Sequence, residues 1–271
     1  MGKFSGVLLA SDFDDTLYHP ERKVSEENRR AIRYFTGEGG YFTVATGRAF
    51  ATFAPHVDEV PVNAPVVLSN GSALYDFQAG RMVCQTFLPE RSSRDLAELV
   101  RAVPELGLEA YHRGEIYLYN PNAVTWNHLS YTGVRGVERP VEDFPQPLSK
   151  VLLEQQRPVL ERAREYIQTR WGEHYEAIFS NQVLLEMTCK GSNKGGMVLR
   201  LAELLGVERA HIYCVGDNEN DLPMLAVSRI PFAPANCARA VRDWGPRLVG
   251  SCGESCIAQI IGILDEQYPE S

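Results

Sequence analysis

The chain begins with apolar runs that are separated by amphipathic segments. The runs 7–10 ("VLLA") and 41–46 ("YFTVAT") contain no charged residue, which predicts strands buried on both faces. Between them, residues 25–35 ("SEENRRAIRYF") predict a helix. The alternation continues with a predicted helix and then a strand region broken by an Asn-Gly turn, at 49–60 and 64–77. This order predicts a parallel sheet with right-handed crossovers.

The pattern changes after residue 80. Short segments that alternate between apolar and polar residues predict antiparallel strands, with two helices at 92–103 and 157–170 and a Pro-rich loop at 139–150. From residue 190 the first pattern returns. We therefore expect an α/β fold: a Rossmann-like, doubly wound parallel sheet formed by residues 1–80 and 190–271, with an α+β domain inserted over 81–189.

The composition narrows the possible partners. Apolar residues make up 44% of the chain and charged residues 23%, as in ordinary globular proteins. The net charge of −8 argues against a nucleic-acid partner. Six cysteines without a C-x-x-C pair predict reduced thiols. The N-terminal apolar run is too short for a signal peptide, and no run is long enough for a membrane span. We expect a cytoplasmic protein without a membrane partner.

Three carboxylates follow the first buried strand directly, in "DFDDTL". Asp12 and Asp14 are two residues apart, so both can face one side of an extended segment. Such a pair suits chemistry in which one carboxylate attacks and the other exchanges protons with a leaving oxygen. We expect Asp15 to be a turn residue.

Three further stretches fall at strand ends or helix starts, where open parallel sheets bind ligands. Thr46 and Gly47 in "ATGR" combine a hydroxyl with backbone N–H groups, which suits an anion. Lys194 in "GSNKGG" opens a helix and suits a phosphate. Asp217 closes a buried strand in "GDNENDLPML", and Asp221 occupies a position typical of a helix N-cap.

These carboxylates repel one another unless a cation compensates them. Asp12, Asp14 and Asp217 offer the hard oxygen ligands that select Mg²⁺. An approaching phosphate increases the need for positive charge, which a divalent ion and Lys194 would supply. The sequence thus predicts a combined magnesium and phosphate site at one edge of the sheet.

In their order along the chain, these four motifs resemble those of the haloacid dehalogenase superfamily. "LSNGSALYDF", "PANCARAV" and the long insertion resemble its Cof-type subfamily with an α/β cap. The resemblance implies a phosphatase in which Asp12 is the nucleophile and Asp14 the general acid and base. It also implies that Thr46, Gly47, Lys194 and Asn220 bind the phosphoryl group, and that Asp12, the Asp14 carbonyl and Asp217 bind Mg²⁺. Asp221 would order the metal site or Lys194.

The predicted substrate is a small phosphorylated metabolite, with a sugar phosphate as the first expectation. Arg48 and Arg113 are candidate substrate contacts because the substrate is anionic. Three alternatives stay open: a phosphomutase, a phosphatase of the sucrose-phosphate or mannosyl-phosphoglycerate type, and a non-catalytic binder. The prolines Pro231 and Pro234, next to "ANC", depart from the subfamily pattern, and the sequence does not explain them.

Overall fold

A computed structural model describes residues 2–18, 21 and 23–268. The chain divides into two compact units. The first comprises Met1–Gly47, Ala54–Cys84 and Lys194–Ser271. The second comprises Arg48–Phe53 and Gln85–Asn193. The inserted segment thus runs from residue 85 to residue 193, whereas the sequence pattern predicts 81–189. Each unit has an apolar core of its own.

The secondary structure is numbered along the chain. The strands are β1 (Leu8–Ser11), β2 (Tyr41–Val44), β3 (Val66–Leu68), β4 (Ala73–Asp76), β5 (Arg81–Gln85), β6 (Gly107–His112), β7 (Glu115–Tyr119), β8 (Val137–Glu138), β9 (Lys150–Glu154), β10 (Tyr175–Phe179), β11 (Leu184–Cys189), β12 (Ile212–Val215), β13 (Pro231–Pro234) and β14 (Arg247–Val249). The helices are α1 (Glu26–Gly37), α2 (Phe50–Phe53), α3 (Ser92–Ala102), α4 (Ala123–Thr132), α5 (Arg157–Trp171), α6 (Lys194–Leu205), α7 (Leu222–Leu225), α8 (Arg239–Trp244) and α9 (Cys256–Gln267).

The first unit is built on a parallel sheet in the order β14-β13-β12-β1-β2. Its central strands are buried along their whole length, as their apolar sequences predict. A single parallel bridge between Ala45 and Val67 links the end of β2 to β3, which belongs to the three-stranded sheet β3-β4-β5. The expected α/β fold with a parallel sheet is therefore confirmed.

The two unusual prolines occupy the first and last positions of β13. Both are in register with a flanking strand, Pro231 with Cys214 of β12 and Pro234 with Val249 of β14. Because a proline lacks a backbone donor, the ends of a strand tolerate it best. The departure from the subfamily pattern is thus accommodated within a paired strand.

The second unit has a six-stranded sheet in the order β10-β11-β9-β6-β7-β8, antiparallel except for the last pair. Helices α3 and α5 pack on one face of this sheet and form the main core of the unit. Helix α4 contributes Leu129 to a smaller apolar cluster on the other face. The sequence pattern did not predict α4, although Asn122 caps it and Gly133 ends it.

One predicted helix is wrong in part. Residues 49–60 form the four-residue α2 and a 3₁₀ turn, Ala54–Glu59, in place of one continuous helix. Pro55 lacks the N–H that a continuous helix requires at this point. All six cysteines are free thiols. Among the residues described, no helix is long and apolar enough to cross a membrane.

Candidate active site

The acidic residues predicted from the motifs meet at the carboxyl edge of the parallel sheet. Asp12 follows β1, and Asp217 follows the neighbouring strand β12. Asp221 ends a 3₁₀ turn, Glu219–Asp221, after the same strand. One carboxylate oxygen from each of the three lies within 4.8 Å of the others, and all three side chains are buried. The parallel register thus brings together residues that are about 200 positions apart, as 12 and 217 show.

Lys194, the first residue of α6, supplies the positive charge of this cluster. Its Nζ donates hydrogen bonds of 2.6 Å to Asp12 Oδ1 and of 2.6 Å to Asp221 Oδ1, and the side chain is completely buried. Burial alone would lower the pKa of Lys194, but the two carboxylates outweigh it and raise the pKa above its ordinary value. Lys194 is therefore charged and bridges two acidic groups.

One ammonium group does not balance three buried carboxylates. Burial raises the pKa of Asp12 well above its ordinary range, and the Asp221 and Asp217 charges raise it further, while Lys194 opposes the shift. Burial, with the Asp221 charge, also raises the pKa of Asp217 to about 7. The site therefore favours additional positive charge.

Asp221 is occupied by contacts within the cluster. Its Oδ2 accepts hydrogen bonds from the backbone N–H groups of Asp217, at 2.8 Å, and Asn218, at 2.9 Å. The Asp221 side chain comes this close to the backbone only because residue 216 is a glycine: a Cβ there would lie 2.3 Å from the Asp221 carboxylate carbon. Since the other Asp221 oxygen binds Lys194, this residue positions Lys194 and the loop after β12.

The donor set fits a hard divalent cation. Asp12 and Asp217 present carboxylates at one point, which are the ligands that Mg²⁺ prefers. The Thr16 hydroxyl donates to Asp217 Oδ1 at 3.1 Å and fixes its orientation. Asp14 lies two residues after Asp12 in the same loop, and its side chain is partly buried. The residues that the sequence predicts as metal ligands thus lie together.

The predicted phosphate-binding residues belong to the same unit. Thr46 is buried at the end of β2, with its N–H bonded to the Val67 carbonyl at 2.9 Å, and Gly47 follows in a partly exposed bend. Asn220 is buried beside Asp221, and its Nδ2 donates to Asn70 Oδ1 at 3.0 Å. These loops follow β2 and β12, on either side of β1.

The two candidate substrate contacts lie in the second unit. Arg48 is buried there; its Nη1 donates to the Thr52 carbonyl at 3.0 Å, and its guanidinium lies 5.6 Å from the centre of the Tyr131 ring. Arg113 is exposed in the turn between β6 and β7, with a positive φ of 47°. Their role in substrate binding stays a prediction.

Sequence reasoning missed three residues that support the site. Thr16 holds Asp217, and Asn70, in a left-handed conformation with φ 51°, holds Asn220. Asn236 donates to the Asp15 carbonyl at 2.8 Å and so fixes the loop after β1. Asp15 itself has φ 59°, in agreement with the expected turn. Asn followed by Gly at 70–71 was a detectable turn signal, but it did not indicate contact with Asn220.

Comparison with known proteins places this geometry in a family context. A family model described as haloacid dehalogenase-like hydrolase matches residues 9–261. The 5-amino-6-(5-phospho-D-ribitylamino)uracil phosphatase YwtE of Bacillus subtilis is 25% identical over 96% of this chain and 99% of its own length. The pyridoxal phosphate phosphatase YbhA of Escherichia coli is 22% identical over 94% and 97%.

A solved structure extends the similarity to the complete fold. The haloacid dehalogenase-like hydrolase from Bacteroides thetaiotaomicron superposes with a TM-score of 0.81, at 21% identity. The match covers 95% of this chain and 99% of that protein. Both the parallel sheet and the inserted unit are therefore included in the match.

Proposed function

Because the chain belongs to the haloacid dehalogenase-like hydrolases and is a phosphatase of small phosphorylated metabolites, we propose that it acts through transient phosphorylation of Asp12. The contact between Lys194 and Asp12 carries this proposal. Lys194 holds Oδ1 of Asp12, so Oδ2 is the oxygen assigned to attack phosphorus. The buried ammonium also lies where a phosphoryl group on Asp12 would need compensation.

The reaction is proposed to proceed in two displacements. In the first, Asp12 forms a bond to phosphorus as the ester P–O bond breaks; the electron pair goes to the leaving oxygen, which takes a proton from Asp14. In the second, water attacks the phosphoaspartate, Asp14 accepts a proton from that water, and Asp12 is released with inorganic phosphate. Phosphoryl transfer of this kind depends mainly on positioning and on charge stabilisation.

The remaining residues of the site are proposed to position the phosphoryl oxygens. Thr46 and Gly47 offer a hydroxyl and a backbone N–H, Asn220 offers an amide, and Lys194 offers its ammonium group. Mg²⁺, held by Asp12, Asp217 and the Asp14 carbonyl, would neutralise the charge that the phosphoryl group brings to the carboxylates. Asp221 keeps Lys194 in place.

For the substrate, we propose a sugar phosphate or a related phosphorylated polyol. The name of the B. subtilis relative specifies a phosphate on a ribityl group, which supports this class. Arg48 and Arg113 are retained as proposed contacts to the anionic substrate. A cytoplasmic location and the absence of nucleic-acid and membrane partners stay predictions.

The test is phosphate release from a panel of sugar phosphates, nucleotides and phosphorylated cofactors, with Mg²⁺ and with EDTA. We expect metal-dependent release that is highest for a sugar or polyol phosphate. Asp12→Asn should keep the fold, because it preserves side-chain shape, and should reduce turnover by at least about 10³-fold. Near-normal turnover in this variant would refute the nucleophile. No release from any substrate by the folded protein would favour the mutase, which needs a bisphosphate activator.

A further inference from the structure

Three titratable side chains meet within the second unit. Glu109 lies on β6, Glu154 at the end of β9, and His128 on α4. His128 Nδ1 is 2.9 Å from Glu109 Oε1 and 3.7 Å from Glu154 Oε1, and one ligand atom of each residue lies within 4.8 Å of the others. Both glutamates are fully buried, whereas the His128 side chain is 18% exposed. We call these three residues the second-unit cluster.

Glu154 is the member of this cluster that lacks a hydrogen-bond partner among the described residues. Neither of its carboxylate oxygens has a hydrogen-bond partner among the described residues, although the side chain has no exposed surface. Thr125, Glu109 and Lys150 are the polar neighbours of this carboxyl group. An unpartnered buried carboxylate is costly, and natural proteins compensate it with a donor or a cation. Its Oε1 instead faces the His128 imidazole, another metal-ligating group.

Buried acidic residues outnumber buried basic residues on this face of the sheet. Glu109, Glu154 and Glu186 are buried acids on the three adjacent strands β6, β9 and β11. Lys150 pairs with Glu186 at 3.1 Å and neutralises it. With both carboxylates ionised and a neutral imidazole, the second-unit cluster would carry two negative charges, which one divalent ion would balance.

Helix α4 contacts the sheet through Leu129 and through its N-cap Asn122, which donates to the Glu154 carbonyl at 2.9 Å. Of its residues, Thr125 and Leu129 are buried, while Trp126 and Tyr131 are 50% and 48% exposed. A ligand that joins His128 to Glu109 and Glu154 would tie this helix to two strands.

We propose that Glu109, His128 and Glu154 form a second divalent-cation site, which takes a transition metal such as Zn²⁺ in preference to Mg²⁺. One imidazole and two carboxylates are a common zinc donor set, with water completing the coordination. Bonds of about 2.0–2.2 Å place tetrahedral ligands about 3.3–3.6 Å apart, close to the separations observed. Nδ1 of His128 would be the ligating atom, with the ring proton on Nε2.

The probe is Co²⁺, added to metal-free protein in the presence of excess Mg²⁺ to saturate the first unit. We expect one Co²⁺ per chain, with ligand-field absorption of a low-coordinate, histidine-ligated ion. Asp217→Asn should retain this spectrum, which separates the second-unit cluster from the active site. Glu154→Gln and His128→Gln should each weaken Co²⁺ binding by at least tenfold.

Glu186→Gln is the matched control, because it removes a buried carboxylate from the same face that is not a member of the cluster. It should bind Co²⁺ like the wild type. Glu154→Gln is isosteric and replaces a buried carboxyl group that has no hydrogen-bond partner among the described residues, so the metal-free variant should melt no lower than the wild type. The partly exposed His128 provides an independent variant. The proposal is overturned if wild-type protein shows no such spectrum, or if Glu154→Gln and His128→Gln bind Co²⁺ unchanged.

Discussion

Lys194 is the residue on which the stability of the acidic edge depends. Lys194→Met would leave Asp12 and Asp221 buried without their shared cation, and losing one partner of a buried ion pair costs about 3–5 kcal/mol. We expect a loss of this size in the free energy of unfolding, measured in urea with EDTA present.

Lys190→Met is the control for that substitution. Lys190 is about half exposed and 3.4 Å from Glu176, so its replacement should cost about 1 kcal/mol or less. Equal losses in the two variants would show that Lys194 does not stabilise the carboxylates.

The role of Asp14 can be separated from that of Asp12 by leaving-group dependence. Asp14→Asn should slow hydrolysis of alkyl phosphates by about 10²–10⁴-fold, because their leaving oxygen needs a proton. An aryl phosphate with an acidic leaving group should lose less. Steady-state kinetics on both substrates measures the difference. Asp15→Asn is the control, because Asp15 is exposed and has a φ of 59°, which asparagine tolerates. Equal losses of Asp14→Asn on both substrates would contradict the role of Asp14 as the general acid.

The Asp217 carboxyl should make Mg²⁺ affinity depend on pH. Its pKa of about 7 means that it holds a proton below neutral pH, which a metal ion must displace. Affinity should therefore rise by at least about tenfold per pH unit between pH 5 and 7, because Asp12, whose pKa burial also raises, can release a second proton. With the ordinary pKa of an aspartate there would be almost no change in this range.

Calorimetric Mg²⁺ titrations at pH 5.5, 6.5 and 7.5 measure this dependence. Thr16→Val removes a hydroxyl that lowers the pKa of Asp217, so its affinity should level off at a higher pH. A constant affinity across these pH values would contradict the assigned metal ligand.

At the level of single residues, the sequence predicts the positions of the acidic groups better than the residues that support them. Asp12 and Asp217 could be placed together because each directly follows a buried strand of one parallel sheet. The roles of Thr16 and Asn70 depend on side-chain directions and on a left-handed backbone, which no apolar pattern encodes. The sequence likewise does not encode that Asp221 binds Lys194 through one oxygen and two backbone N–H groups through the other, because this depends on the folded loop.

Among the elements, α6 and α7 approach each other closely next to Lys194. A Cβ at Gly195 would lie 2.1 Å from the Pro223 carbonyl oxygen. Gly195→Ala should therefore separate the two helices, displace the adjacent Lys194, and lower the free energy of unfolding by about 1–3 kcal/mol. Activity should fall with it.

Gly262→Ala, in α9, is the matched substitution for this test. A Cβ there has no atom within 4 Å, so alanine should stabilise the helix by about 0.5–1 kcal/mol. Chemical unfolding of both variants gives the comparison. Stabilisation by Gly195→Ala would contradict the close approach of α6 and α7.

Helix prediction succeeded where apolar residues recur on one face and failed elsewhere. The segments 92–103 and 157–170 correspond to α3 and α5, whose apolar sides form the core of the second unit. Helix α4 buries only two side chains, so its residues carry little helical periodicity. As a result, the second-unit cluster could not be anticipated, because His128 reaches the sheet only through this helix.

For the whole molecule, the change from alternating strands and helices to short amphipathic strands predicted both the parallel core and a separate inserted unit. The positions where the chain leaves and re-enters the first unit were harder to predict from the sequence. Residues 81–84 and 190–193 lie between the expected and observed limits, and both stretches are too short to have a period of their own. The segment Arg48–Phe53 groups with the second unit through tertiary contacts that local sequence does not encode.

Two units with separate cores also predict that the two proposed cations stabilise the protein independently. At 100 times its dissociation constant, Mg²⁺ should add about 2.7 kcal/mol to the stability of the native protein. Differential scanning calorimetry should show an upward shift with Mg²⁺ in the wild type and in Glu154→Gln, and none in Asp217→Asn. Zn²⁺ added in excess Mg²⁺ should give the converse result. It should raise the melting temperature of Asp217→Asn and leave that of Glu154→Gln unchanged. Loss of both shifts in either single variant would show that the two sites are coupled and that each unit does not bind its ion alone.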